Sequence, residues 1–309
     1  MEALEYAIDR LDEEERPTDR AVADLAPPDD RFSAIAHAIV GPFEHGESTD
    51  RLSAIDVLSQ IGSGVEWMVP QVFAAAVFTA LGPVPVSLNT VVRKVDWDGP
   101  TVKVETNKGT LTGQAVIITV PTEIVADGTI AFSPALPAWK RTAYETLPMG
   151  VLDKIALQFD SAVFDGADGT TVYEQDGEDG LIWDHLVRPF GLDLSVTFLG
   201  GDYARDLARE GDAAAFDVAL DSLVNVFGSG IRDHVVKGHF TKWDADPLAR
   251  GAYAYAQPGH IRSRGMLARP VDERLFFAGE ACHQQWATQA TAAYLSGRNA
   301  ARNAVEAIV

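Results

Sequence analysis

Phe276-Phe277-Ala278-Gly279-Glu280, continued after a short loop by Ala290-Thr291-Ala292-Ala293-Tyr294-Leu295-Ser296-Gly297-Arg298, is the stretch that decides how this chain is read. The run Arg274–Ala278, apolar from Leu275 onward, is too short for a helix and is followed by glycine, the pattern of a strand covered on both faces. Glycine at its end lets a ligand approach the backbone closely. Glu280 then supplies a carboxylate able to accept hydrogen bonds from sugar-type hydroxyls. From about Ala290 the spacing is helical, and the start of that helix presents free N–H groups and a positive dipole end to a negatively charged ligand. An ordinary strand–turn–helix has the same composition, so the rest of the chain must decide.

A second nearly continuous apolar run, Ala115-Val116-Ile117-Ile118-Thr119-Val120, is ended by Pro121 and predicts another doubly covered strand. Around it, 84–88, 91–97, 101–106 and 109–120 read as strands parted by Asp98-Gly99 and Asn107-Lys108-Gly109 turns. A later group is expected at 154–159, 180–187, 192–199 and 235–243, with a helix over 212–226. Residues 1–80 read as helical. Ala3, Leu4, Ala7, Ile8 and Leu11 repeat at helical spacing, and helices follow at 32–40, 51–60 and 69–81. Ser48-Thr49-Asp50 can cap the helix at 51–60. The strand groups interleave, so two discontinuous domains are expected: 1–80 with 126–265, and 81–125 with 266–309.

The 309 residues carry a net charge of −20, which disfavours nucleic acid and anionic membrane surfaces as partners. At 47% apolar the chain can bury a sizeable core. The acidic run Asp12-Glu13-Glu14-Glu15 reads as a solvated helix face. A single cysteine, Cys282, excludes an internal disulfide and argues against a thiolate metal cluster. No stretch approaches the roughly 20 apolar residues of a membrane span, and the N-terminus, acidic from Glu2, has no signal character. The reading is a cytoplasmic protein. The scattered histidines suggest no metal site, and His185 beside Asp184 is an acid–base candidate only against the plainer reading of a sheet residue.

Taken together, these stretches resemble the flavin-dependent monoamine and polyamine oxidase family. The Gly279-Glu280 turn with Ala292-Ala293-Tyr294-Leu295-Ser296-Gly297 is similar to its C-terminal flavin motif. Thr119-Val120-Pro121 resembles the strand end beside the cofactor, and Val92 the position whose backbone meets adenine. Leu147-Pro148-Met149-Gly150 leading to Lys154 resembles the segment whose lysine holds a water at flavin N5. Ile155, Leu157 and Phe159 share one face of that strand, and Lys154 points the other way. Trp243, Asp246-Pro247 and Gly251-Ala252-Tyr253 match a further run, in which Tyr253 is one wall of an aromatic cage for the substrate nitrogen. Such walls desolvate an amine and attract its cationic form. The second wall falls on Gln289, with Trp286 a partial substitute.

The resemblance implies an α/β fold: an α+β substrate domain with a partial Rossmann-like FAD-binding domain. It implies non-covalent FAD, since Ala252 stands where covalent members have cysteine. Val92, Thr119, Pro121, Trp243, Gly279, Glu280, Ala290 and Ala293 would hold the cofactor. Lys154, Tyr253, Trp286 and Gln289 would serve the oxidation of an amine C–N bond. Arg31, Arg188 and Arg250 are candidates for pairing a substrate carboxylate. A dinucleotide unit needs Gly-x-Gly-x-x-Gly after a first strand, and Gly62-Ser63-Gly64 approaches it but lacks the third glycine and the flanking strand. A partner subunit or detached segment is therefore expected to supply the ADP-binding unit, making a hetero-oligomer. A flavin-free module binding an amine or a protein, and a flavin desaturase of an apolar substrate, are the alternatives.

Overall fold

The computed structural model describes residues 18–25, 31–62, 68–70, 72–164, 168–176 and 181–309. The expected helix at 3–11, the acidic run 12–15, the turn at 26–30, and Ser63 and Gly64 lie outside them. The elements are α1 Arg31–Ala38, α2 Ala54–Ser59, α3 Phe73–Leu81, β1 Val92–Asp96, β2 Val102–Thr106, β3 Gly109–Gly113, β4 Val116–Ile118, α4 Thr122–Ala126, β5 Ala131–Ser133, α5 Ala138–Glu145, β6 Met149–Gly150, β7 Leu152–Phe159, β8 Thr170–Gln175, β9 Ile182–Val187, β10 Leu194–Gly200, α6 Gly201–Glu210, α7 Asp212–Phe227, β11 Val235–Phe240, β12 Tyr253–Ala254, α8 Ser263–Ala268, β13 Leu275–Phe277 and α9 Ala290–Ile308. This is the mixed helix-and-sheet architecture of the α/β class.

The deciding stretch forms as its pattern demands. β13 pairs in parallel with β4, Leu275 opposite Val116 and Phe277 opposite Ile118. All three β13 residues are buried. Phe276 and Ala278 pack against Ala300 and Ala304 of α9. Leu275 and Phe277 join a core with Val95, Val102, Ile118 and Leu147. The predicted strand 109–120 is two strands in different sheets. β3 closes a hairpin on β2 at the edge of the order β3-β2-β1-β5, whereas β4 leaves to pair with β13. The expected strand at 84–88 is absent, because Pro83 and Pro85 withhold ladder donors, and Val84, Val86 and Leu88 are exposed instead. The cap of α2 lies at Ser53, whose hydroxyl accepts the Asp56 N–H at 3.0 Å, so that helix begins later than expected.

The second sheet runs β11-β7-β10-β9-β8, antiparallel throughout. Period-two alternation places Ile155, Leu157 and Phe159 in a core with Ala215, Ala219 and Leu223 of α7, and leaves Lys154 on the opposite face. α4, α5, α6, α8, β5 and β8 escaped the sequence reading; most are short, and α6, though amphipathic with Ala204 and Leu207 buried, is half charged.

Between α1 and α2 the chain makes a π-helical turn, Ile39–Phe43, that rests on the second sheet by backbone contact. A Cβ on Gly200 would sit 1.8 Å from the Pro42 carbonyl oxygen, and one on Gly150 2.3 Å from that of His45. No side chain fits at either place. Under the sheet, the His185 ring is fully buried, with Nδ1 2.8 Å from Thr197 Oγ1 and Nε2 2.7 Å from Ser222 Oγ. Among the described residues no helix is long and apolar enough to cross a membrane, and no group of three or more His, Cys, Asp or Glu could hold a metal ion.

Two outcomes follow for stability. Gly200→Ala should destabilise the fold by on the order of 3 kcal/mol, since backbone must move to admit one methyl group; denaturant titration reads this. Burial pulls the His185 imidazole down from 6.5 to about 4, so the unfolded chain binds its proton first as pH falls. Stability from His185 is complete above pH 6.5 and is lost as pH falls towards 4, by roughly 3 kcal/mol. A wild-type unfolding free energy that stays level across this window would contradict it.

Candidate active site

The C-terminal ends of β4 and β13, the start of α9 and the β12 region enclose a cavity of about 250 Å³. Thr119, Pro121, Ala252, Gly279, Glu280 and Ala293 line it, with Tyr144, Met149, Leu267, Phe277 and Cys282 behind them. Gly279 has φ +137°, and nothing lies within 4 Å of where its Cβ would be. The missing side chain thus leaves open space at the strand end, in a conformation that favours glycine. Ser296 of α9 fixes that glycine, accepting its N–H at 3.0 Å and donating to its carbonyl at 2.8 Å.

Glu280 does more than the sequence suggests. Its Oε1 accepts the Ala254 N–H at 2.9 Å and its Oε2 accepts the Thr288 N–H at 3.0 Å. The carboxylate therefore ties β12 to the loop before α9, and each oxygen retains a lone pair for a ligand. Burial raises its pKa, and the nearby Arg264 opposes that rise. Arg264 is itself fully buried and pairs with Asp56 through Nε and Nη2, both at 2.7 Å. Burial pushes the Cys282 thiol up to about 12, so it lines the cavity as a protonated, apolar group.

The remaining predicted residues stand outside the lining. Tyr253 follows Ala252 directly; its hydroxyl makes a long 3.5 Å hydrogen bond to the Phe43 carbonyl, and burial raises its pKa. Lys154 is half-buried on β7 with Nζ 5.5 Å from the Phe198 ring centroid. Burial lowers its pKa while Asp153 opposes the fall. Trp243 is half-exposed, and its backbone N–H is held by Asp153 at 3.0 Å. Gln289 donates to the Ile61 carbonyl at 3.2 Å. Trp286 sits in the same loop, its N–H on His283 Nδ1 at 3.3 Å. Val92 lies in β1, and Ala290 is exposed at the first position of α9. The cavity thus gathers Thr119, Pro121, Gly279, Glu280 and Ala293, but not Val92, Trp243 or Ala290. Tyr144 and Leu267 line it without having been singled out; each is one apolar residue of a helix and gives no sequence signal. Arg188 is paired with Asp168 and Asp193, and Arg250 with Asp127. His185 is fully buried beneath the sheet and is not among the residues that line this cavity.

Residues 10–305 match the family of flavin containing amine oxidoreductases. The chain belongs to that family. It is 31% identical over 231 residues to lysine-specific histone demethylase 1 homolog 1 of Oryza sativa subsp. japonica, covering 72% of this chain and 27% of that protein. It is 30% identical over 206 residues to polyamine oxidase 2 of Arabidopsis thaliana, covering 65% of this chain and 41% of the other. The chain thus spans less than half the length of these relatives. The structure of cyclohexylamine oxidase from Brevibacterium oxydans superposes on 99% of the chain with a TM-score of 0.79 at 23% identity, over 73% of its own length. A redesigned putrescine oxidase gives a TM-score of 0.76 at 18% identity, over 76% of its length. Both share the fold.

The cavity suits the family's flavin. The open side of Gly279 admits a flat ring against backbone, and Glu280 keeps acceptor capacity beside the start of α9. Gly279→Ala should cost about 1–3 kcal/mol of backbone strain and place a methyl group in the cavity. Flavin bound per chain, read by absorbance in the fully assembled protein, is expected to fall while the fold persists; unchanged flavin content would contradict this placement.

Proposed function

We propose that the chain is the substrate- and flavin-facing part of an FAD-dependent oxidase or dehydrogenase acting on the C–N bond of an amine. The observation that carries this is the cavity, where five residues assigned to the cofactor from sequence line one space beside Tyr253. Bound FAD supplies a hydride acceptor, later reoxidised by oxygen or another acceptor. In this reading Glu280 and the α9 N-terminus hold the ribityl and ring end, with Thr119 and Pro121 against the ring. Tyr253 forms one wall of the amine pocket, where an apolar ring strips water from the nitrogen. Trp286 and Gln289 take the opposite wall, and Trp243 flanks the site. Lys154, its ammonium destabilised by burial, holds a water near the reacting end and moves protons through it. The segments 1–80 and 126–265 form the substrate domain; 81–125 and 266–309 form part of the flavin domain.

A cavity of about 250 Å³ is smaller than the roughly 300–1,000 Å³ of sites enclosing a drug-sized ligand, and takes only part of a dinucleotide. We assign the ADP half to a further unit, either a partner subunit or another segment of the same protein. An exposed apolar helix supports this. α3 has no buried residue, and Val72, Phe73, Phe78 and Leu81 are 71, 55, 63 and 54% exposed. An apolar helix so presented marks an interaction surface.

The test is an absorption spectrum of the chain alone and of the chain co-expressed with its encoded neighbours. Bands near roughly 370 and 450 nm, from the cofactor's own chemistry, are expected only in the second sample. Bands in the lone chain would overturn the divided site, and none in either would overturn the flavin reading. In the assembled enzyme Lys154→Met should lower amine turnover by about 100-fold, the lower end of proton-transfer contributions, with amine binding little changed. Full retention of turnover would remove Lys154 from the reaction.

A further inference from the structure

A second cleft, which the proposed reaction does not use, lies across Tyr144 from the flavin-facing cavity. It measures about 350 Å³, against about 250 Å³ for the first, and so falls within the roughly 300–1,000 Å³ of small-molecule sites. Helix α4, strand β5, the turn that follows it and helix α5 form its walls. Tyr144 is the one residue common to both linings, so its buried ring is the partition between the two spaces. That ring packs edge-on against Phe277 of β13, 6.2 Å between centroids.

The lining divides into an apolar floor and a charged rim. Ile130 and Leu136 are buried, and Val125 and Phe132 half-buried. Arg141 and Glu145 of α5 are exposed at the rim. Arg141 Nη1 donates to the Leu136 carbonyl at 2.5 Å. That bond holds the guanidinium at the cleft and leaves Nε and Nη2 uncommitted among the described residues. Glu145 makes no hydrogen bond or ion pair among them. The two side chains stand one helical turn apart on the same face, with Cβ atoms about 5–6 Å apart, yet they do not pair with each other. Asp127, in the same rim between Ala126 and Gly128, is already met by Arg250 at 3.3 Å.

This arrangement selects its ligand by charge. A ligand with a carboxylate alone would face the like charge of Glu145, and one with an ammonium alone would face that of Arg141. A ligand with both groups on one carbon satisfies the two together. The open edge of the guanidinium takes the carboxylate in two parallel hydrogen bonds, and Glu145 takes the ammonium. We propose that the cleft is a second ligand site, separate from the space assigned to the flavin, for a small apolar α-amino acid. Its side chain lies among Val125, Ile130, Phe132 and Leu136, with Tyr144 closing the inner end. Occupancy is read by binding alone and requires neither flavin nor amine turnover.

The experiment is calorimetric titration of the full chain with L-leucine and with 4-methylpentanoate, which is leucine without its amino group. Wild type, R141M, E145Q and A135F are compared. Wild type is expected to bind one leucine per chain, about 10-fold more tightly than 4-methylpentanoate, the scale of one charge-assisted hydrogen bond. R141M should weaken both ligands by about 10-fold or more on the same scale. E145Q should weaken leucine but tighten 4-methylpentanoate, because a like charge has gone; a merely structural role would not give opposite signs. A135F fills the cleft and should abolish both. Arg141, Glu145 and Ala135 are exposed, so the four proteins should share one thermal unfolding midpoint within a few degrees. No binding of leucine to wild type overturns the site. Leucine binding that persists unchanged in R141M and A135F places the ligand elsewhere and overturns it equally.

Discussion

Arg264 and Asp56 meet in the interior, far apart in sequence and almost wholly withdrawn from solvent. Neither could stay charged there alone, because an isolated ion in a low-dielectric interior is prohibitively costly. Their two parallel hydrogen bonds are therefore only the centre of a wider arrangement. Asp56 also accepts the Ala256 N–H and the Gln284 side chain, and Arg264 also donates to the Ala254 carbonyl. Helix α2, strand β12, helix α8 and the loop ahead of α9 all converge on one charge pair. Glu280 extends the arrangement, since its two oxygens fasten the same strand and loop while Arg264 favours its ionised form. The cavity wall is thereby built by electrostatic satisfaction as much as by apolar packing, and a buried pair of this kind is far more harmful to break than to have lacked from the start.

What the sequence made legible is what depends on local pattern. The parallel pair β4–β13 and helix α9 were readable because doubly buried strands are continuously apolar and Gly279 punctuates the junction. The side of β7 that bears Lys154 followed from simple alternation. Where the reading failed, a local rule was outweighed. The valines at 84 and 86 suggested a strand, but two neighbouring prolines removed the donors it needed. The segment 109–120 read as one strand, yet its halves serve different sheets, a division set by which partner strand is near. The cap of α2 moved from Ser48 to Ser53 because Ser48 and Asp50 bond to each other.

The site was legible in the same uneven way. Thr119, Pro121, Gly279, Glu280 and Ala293 meet because they sit at the ends of paired elements, where sequence position fixes spatial position. Trp286 and Gln289 lie on a loop whose path is set by Glu280, Gln284 and the Ile61 carbonyl, contacts that no motif announces. Asp184 and His185 are neighbours in sequence, but the alternation of β9 sends them to opposite faces, with His185 enclosed under α7.

The seam that seats the π-helical turn and the residues after it is made of main chain on both sides, the Pro42 carbonyl against Gly200 of the five-stranded sheet and the His45 carbonyl against Gly150 of β6. A seam of that kind is indifferent to the side chains that flank it. Phe43 and Glu44 can be exchanged over evolutionary time without altering how the turn is seated. The scaffold holds its seat whatever groups it displays there.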